Sequence, residues 1–209
     1  MTRTPRHVTI GFIVTLGLAG LGRTASADQI EPLTIALWVR DTAQVPDDVF
    51  TRAQAEVTQI YRQAGVETVW LAPSSPLALA NKDVDREPWF TIAILSYDQA
   101  KRLNPALIRD AVGVAVSNPN SRGHVAYVFY HRVENLTGGN GLNLGQVLGI
   151  AMAHEIGHLL LPDKAHSQTG LMRAKWAKAD LQLAQRGQLF FTAKQGELIR
   201  SRMAGSRQP

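Results

Sequence analysis

The stretch LGQVLGIAMAHEIGHLLLPDKAHSQTGLM, residues 144–172, decides how this chain is expected to fold. Asn143 precedes it and is a favoured helix cap, and Gln146 stands where a capping-box partner would bond back to the cap. Pro162 cannot continue a helix, because its ring removes a backbone donor and clashes with the preceding turn. The sequence therefore predicts a central helix over residues 144–161.

This predicted helix contains HEIGH, a match to the pattern H-E-x-x-H. His154 and His158 are four residues apart, so their imidazoles share one helix face and can bind one ion, and neutral imidazole is a preferred zinc ligand. Glu155 can accept a proton from a water that the metal activates. Burying the two helical histidines and Glu155 in an ordinary core without a metal or partners would be costly. A third histidine, His166, follows the helix. The pattern predicts a zinc site with these three histidines as ligands and Glu155 as general base.

Strand and helix signals alternate through the rest of the chain. Residues 193–203 are expected to form a last helix, with Thr192 as cap and Gln195 as capping-box partner. A helix is predicted to open at Pro46 and to end at Gly65, and a glycine- and asparagine-rich loop is expected at 136–143. Strands are predicted at residues 33–40, 66–71, 90–95, 112–116 and 124–130.

Residues 1–27 have the features of a secretory signal peptide. Two arginines lie within the first six residues, residues 8–21 are almost purely apolar, and Ala-Ser-Ala at 25–27 offers a cleavage site before Asp28. The apolar run is shorter than the roughly 20 residues that span a bilayer. We expect a secreted or periplasmic protein with no stable membrane anchor after cleavage.

Composition narrows the possible functions. Loss of residues 1–27 would remove three arginines and no acidic residue, so the formal net charge of +5 would fall to +2. No basic stripe with interleaved aromatic residues remains, so nucleic acid is not an expected partner. The chain has no cysteine, which excludes disulfides and a catalytic thiolate. Residues 28–209 suit a single domain, in which 28–161 carry the active-site helix and 162–209 form a small C-terminal subdomain.

The stretch HEIGHLLLPDKAHSQTGLM resembles the metzincin clan of zinc peptidases. Members of that clan show H-E-x-x-H-x-x-G-x-x-H, followed by a methionine in a tight turn beneath the metal. By this resemblance His154, His158 and His166 are the zinc ligands and Glu155 is the general base. Met172, in the sequence Gly-Leu-Met, corresponds to the turn methionine that supports the site.

The resemblance also has implications for fold, activity and substrate. It implies an α/β fold of the α+β zincin-like kind: a mixed twisted sheet, an active-site helix and a small C-terminal helical subdomain. The implied activity is that of a zinc metalloendopeptidase, with a protein or peptide substrate bound in extended form along an edge strand at 112–116. The spacing departs from the clan, because Lys164 occupies the third-ligand position and His166 lies two residues further on. Asp163 is the alternative third ligand, since some related zinc peptidases use aspartate.

Four other residues of metal-binding type and two other functions are alternatives to this prediction. Asp180 or Glu197 would suit a site with a glutamate-type ligand, but neither lies in a supporting motif, and His124 and His131 lack metal-ligand spacing.

The chain could instead be a non-catalytic zinc-binding module of the cell envelope, or a zinc hydrolase of a non-peptide amide such as a cell-wall cross-link. Glu155 argues against the first alternative, because a purely structural zinc site needs no carboxylate beside a water and is usually closed by four protein ligands.

Overall fold

The computed structural model describes six segments of the chain. Residues Pro32–Pro209 form one compact unit. The predicted signal peptide and Asp163 lie outside the described residues, so the expectations about them stay predictions, as does the subdomain boundary at residue 161. The described residues are 32–71, 89–103, 111–117, 124–138, 141–162 and 165–205.

One mixed sheet organises these segments. Its strand order is β2-β1-β3-β5-β4, and every neighbouring pair is parallel except β4 and β5, which are antiparallel. The antiparallel strand β4 thus lies at one edge. The mixed α+β fold predicted from the sequence is confirmed. The strands are β1 Thr34–Asp41, β2 Glu67–Leu71, β3 Trp89–Leu95, β4 Gly113–Ser117 and β5 His124–Phe129.

The central strands form because β-branched and large apolar residues alternate along them. Ile35 and Leu37 on β1, and Ile92 and Ile94 on β3, are fully buried. Since successive side chains of a strand point to opposite faces, these residues line one face of the sheet. That face carries the core against which the long helices pack.

Six helices lie within the described residues, and the central one is buried on nearly every side. Of the residues of α4, Leu144–Leu160, only Leu144 and His158 are not buried. A helix that is apolar all round belongs inside a protein, which is where α4 lies. None of the helices in the described segments is long and apolar enough to cross a membrane. The others are α1 Asp47–Gln63, α2 Tyr97–Ala100, α3 Tyr130–Thr137, α5 Lys178–Gln185 and α6 Ala193–Gly205.

Close packing against α1 fixes the position of α4. A β-carbon built onto Gly145 would lie 2.5 Å from the carbonyl oxygen of Val49, and one on Gly149 would lie 2.6 Å from that of Ala53. Any larger residue at either glycine would push the two helices apart. The hydroxyl of Tyr61 donates a hydrogen bond of 3.1 Å to the carbonyl of Ala153, next to the first histidine of HEIGH. The motif is therefore held by a rigid helix pair.

The predicted helix caps are confirmed in part. The side chain of Asn143 accepts from the backbone N–H of Gln146 at 2.9 Å, as expected for a cap. The side-chain amide of Gln146 instead donates to buried Glu56 at 3.3 Å, so the predicted capping box is wrong. A buried carboxylate needs a donor more than an exposed helix end does, because water can satisfy the helix end. The capping box of Thr192 and Gln195 at the start of α6 is confirmed by both of its hydrogen bonds.

Three short helices differ from the sequence prediction. Helices α2, α3 and α5 were not predicted, and β5 ends at Phe129 because Tyr130 already begins α3. Each helix is too short to show a repeated apolar face, which is the main sequence signal for a helix. Asp180, in the first turn of α5, caps the start of this helix. Its carboxylate accepts a hydrogen bond of 2.7 Å from the backbone N–H of Ala177.

Candidate metal centre

The three histidines predicted as ligands converge on one point. The Nε2 atoms of His154 and His158 are 3.1 Å apart, and those of His158 and His166 are also 3.1 Å apart. All three ligand nitrogens lie within 4.8 Å of one another. A tetrahedral zinc ion with nitrogens at about 2.0–2.1 Å keeps those nitrogens about 3.3 Å from one another. The cluster is therefore of the right size to hold a metal ion on three imidazoles.

The tautomer of His154 follows from the hydrogen bond of its second ring nitrogen. Its Nδ1 lies 2.8 Å from the backbone carbonyl of Leu171, which can only accept a hydrogen bond. Nδ1 therefore carries the hydrogen, and the lone pair of Nε2 points into the cluster. The indole N–H of Trp176 donates to the same carbonyl at 3.0 Å. This carbonyl orients the ligand in the way that outer partners of metal-binding histidines usually do.

The electrostatics of the cluster favour neutral imidazoles. Burial lowers the pKa of His154 to about 4, partly offset by its bond to Leu171, and nearby His158 and His166 lower it further. Burial and the neighbouring His166 lower the pKa of His158 to about 4 as well. Both rings are neutral at pH 7, which is the form that binds a metal. Nε2 of His158 faces the Nε2 atoms of both His154 and His166, and hydrogen bonding can satisfy only one of these two contacts. A cation at the same point would be bound by the lone pairs of all three Nε2 atoms.

Glu155 extends from α4 toward the edge strand. A β-carbon built onto Gly113, the first residue of β4, would lie 2.6 Å from Cγ of Glu155 and 2.9 Å from its Cδ. The glutamate side chain thus occupies space that only a glycine leaves open. Burial raises the pKa of Glu155 to about 8. A divalent cation beside it would lower that pKa, because opposite charge stabilises the carboxylate.

The turn methionine lies directly against the central helix. Met172 is fully buried, and a β-carbon built onto Gly157 would lie 2.7 Å from its sulfur and 2.9 Å from a ring carbon of Phe191. Gly157 lies between the two helical histidines, so its missing side chain lets this packing reach the helix. The backbone N–H of Ser167 donates to the Met172 carbonyl at 2.9 Å, which ties the turn to the loop that carries His166.

A cleft of about 750 Å³ runs across the histidine cluster. Its lining includes residues of strand β4, of the C-terminal half of α4 and of the segment 173–176. All three histidines and Glu155 line this cleft. An extended chain entering it would meet the candidate ligands, the carboxyl group and strand β4 together, and among the described strands β4 pairs only with β5.

The remaining candidate ligands are not part of the cluster. Oδ2 of Asp180 accepts from the Arg173 guanidinium at 3.0 Å and from the backbone N–H of Ala177 at 2.7 Å, so this carboxylate caps α5 and is not part of the histidine cluster. Glu197 is exposed on α6 and lines a smaller cavity of about 230 Å³. His124 lies 3.0 Å from the Ser117 hydroxyl, and the ring of His131 packs 5.1 Å from that of Tyr97. Within the described segments only the three predicted histidines form a group that could hold a metal.

Sequence reasoning missed two contacts that shape the site. Gly113 leaves room for the side chain of Glu155, and the carbonyl of Leu171 orients the ring of His154. The sequence carries one weak signal for these contacts, which is the glycine at the start of an otherwise apolar strand. A glycine in a strand often marks a position where another part of the chain approaches closely.

This chain has no match among known protein families or curated proteins.

Proposed function

We propose that this protein is a zinc-dependent metallopeptidase. His154, His158 and His166 would hold the zinc, and Glu155 would act as general base and acid. The observation that carries the proposal is the convergence of three imidazole Nε2 atoms in a cleft that a buried glutamate from the same helix also lines. Three protein ligands leave a coordination position open, which is typical of catalytic rather than structural zinc sites.

The chain's own residues supply positioning and proton transfer. Bound zinc would contribute Lewis acidity, which polarises a carbonyl group and favours attack by water at neutral pH. A carboxylate oxygen of Glu155 takes the proton of the attacking water, and the same oxygen returns it to the nitrogen of the leaving amine. Gly113 gives this carboxyl group its place beside the edge strand. Leu171 holds the ring of His154 in one tautomer throughout.

The substrate is proposed to be a protein or peptide in extended form. Strand β4 is last in the strand order, so one side of its backbone pairs with no other described strand. A free strand edge beside a cleft can accept an extended peptide through main-chain hydrogen bonds. Residues 173–176, which also line the cleft, would contact the peptide side chains. This arrangement favours a peptide over a compact small molecule.

We also propose that the mature chain acts outside the cytoplasm, in the periplasm or the medium. The support is the basic, apolar and small-residue order of the first 27 residues. N-terminal sequencing of protein recovered from outside the cytoplasm should give a start at or near Asp28. An intact first residue on membrane-bound protein would contradict this.

The test compares Glu155→Gln with a matched control, Glu197→Gln. Glutamine keeps the shape of residue 155 but cannot accept a proton, and loss of a general base typically costs about 10²- to 10⁴-fold in rate. We expect the first variant to keep zinc and lose cleavage of a peptide library. The second variant changes an exposed glutamate on α6 and should cleave normally. Near-normal cleavage by Glu155→Gln, or no cleavage by wild-type protein loaded with zinc, would contradict the proposal.

A further inference from the structure

Residues 165–177, which include His166, form neither a helix nor a strand. His166 is exposed, and it follows Pro162 outside any helix or strand. Its neighbour Ser167 makes an isolated bridge to Arg173, which fixes the loop on the side of the methionine turn. A ligand on such a loop needs further anchors if its nitrogen is to stay 3.1 Å from that of His158.

A buried glutamine on α6 provides that anchor. The Nε2 amide of Gln195 donates to the carbonyl of Ala165 at 3.2 Å and to the hydroxyl oxygen of Ser167 at 3.1 Å. These two residues flank His166 on either side. The Ser167 hydroxyl in turn donates to the carbonyl of Thr169 at 2.8 Å, which continues the network along the loop.

The partners of Gln195 determine which way its amide points. Its Oε1 accepts from the backbone N–H of Thr192 at 3.0 Å, and that group can only donate. Its Nε2 faces the carbonyl of Ala165, which can only accept. The side chain is also buried, with 7% of its surface exposed. One amide therefore does two separate tasks, since its oxygen caps α6 and its nitrogen holds the loop.

We propose that Gln195 is the positioning residue for His166, so that α6 sets the third ligand of the metal site. This inference rests on the proposed zinc site. It also accounts for the two-residue offset of His166 from the spacing that the metzincin resemblance implies, because a longer loop needs an outside anchor. α6 can serve as one, since Ile199 and Met203 are buried in the core and Arg200 donates to the Ala64 carbonyl at 2.8 Å.

The two tasks of Gln195 can be separated by one isosteric change. Gln195→Glu keeps the oxygen that caps α6, and glutamate is itself a favoured capping-box residue. It removes both donations to the loop and places a carboxylate against the carbonyl of Ala165. We expect the metal affinity to fall about 10- to 100-fold, the loss typical for an outer-shell partner of a ligand. The far-UV circular dichroism should stay unchanged.

Cobalt(II) is the probe, because its visible absorption reports the ligand set as well as the affinity. The Gln195→Glu spectrum should shift toward that of His166→Ala. Gln185→Glu is the matched control, since Gln185 also donates to a loop carbonyl, that of Gly141 at 3.4 Å, but away from the cluster. Thr192→Ala weakens the cap of α6 alone and should leave both affinity and spectrum unchanged.

The outcomes separate this inference from the proposed function. If wild-type protein takes up no cobalt and no zinc, the metal site itself is wrong. If wild-type protein binds cobalt and Gln195→Glu matches its affinity and spectrum, only the role of Gln195 is overturned. A loss in Thr192→Ala as large as that in Gln195→Glu would also overturn it, because the effect would then come from helix stability.

Discussion

The substitution Gly113→Ala tests how β4 and the glutamate of the central helix fit together. The new β-carbon would lie 2.5 Å from the carbonyl oxygen of Tyr127 on the paired strand and 2.6 Å from Cγ of Glu155. Ordinary contacts of this kind are 3.4–4 Å, so a strand or the glutamate must move by nearly 1 Å. Overpacking of this size typically costs about 1–3 kcal/mol.

Two quantities follow from that displacement. For a domain of this size, the cost corresponds to a fall in Tm of about 2–4 °C per kcal/mol. Peptide cleavage should fall about 100-fold, because a misplacement of 1 Å in a catalytic group can cost that much. Zinc affinity should change little, since the β-carbon would approach Tyr127 and Glu155 and none of the three histidines.

Thermal unfolding, zinc titration and peptide cleavage of the same preparations measure these effects. Gly138→Ala is the control, because its β-carbon would make only ordinary contacts, the nearest at 3.5 Å to the carbonyl of Glu134. If Gly113→Ala keeps the wild-type Tm and the wild-type cleavage rate, Glu155 does not depend on the space beside β4, and our account of how it is held is wrong.

Three further predictions concern the third metal ligand, the protonation of His154 and His158, and the protonation of Glu155. His166→Ala should weaken zinc binding more than Asp163→Ala does, as measured by competition with a chelator; the reverse order would make Asp163 the third ligand. In the metal-free protein, burial lowers the pKa of His154 and His158 from 6.5 to about 4. Between these pH values the unfolded chain binds more protons at the two rings than the folded chain does. Their contribution to the unfolding free energy is therefore lost as pH falls below 6.5. Burial raises the pKa of Glu155 from 4.5 to about 8. Between these pH values the folded chain keeps a proton on Glu155 that the unfolded chain releases, so the contribution of this group to the unfolding free energy is lost as pH rises from 4.5 to about 8. The unfolding free energy of metal-free wild-type protein, measured in urea relative to Glu155→Gln, should therefore decrease across that range; a flat difference would contradict the burial of the carboxyl group.

Local features of the chain could be predicted from the sequence. The spacing of His154 and His158 places both rings on one helix face whatever surrounds the helix. Asn143 starts that helix with its side-chain cap and Pro162 follows its end, and both effects are local in sequence. His166 could be singled out because it follows this helix closely, within a pattern that resembles metzincins. The structure brings its nitrogen to the other two.

Contacts between distant segments could not be predicted. Gly113 meets Glu155 only because β4 lies beside α4 in the folded chain. The capping-box expectation for Gln146 failed for the same reason, since its partner Glu56 is 90 residues away in sequence. Gln195 was expected to cap α6 and does so, but its hold on a loop 30 residues earlier depends on how α6 packs.

The most direct test of the account is the metal content of the purified protein together with the coordination of that metal. Protein purified without added metal should carry or take up close to one zinc ion per chain, and X-ray absorption should find nitrogen ligands from three imidazoles at about 2.0–2.1 Å. His154→Ala with His158→Ala should abolish this uptake. A wild-type protein that neither contains zinc nor binds it on titration would contradict the central claim.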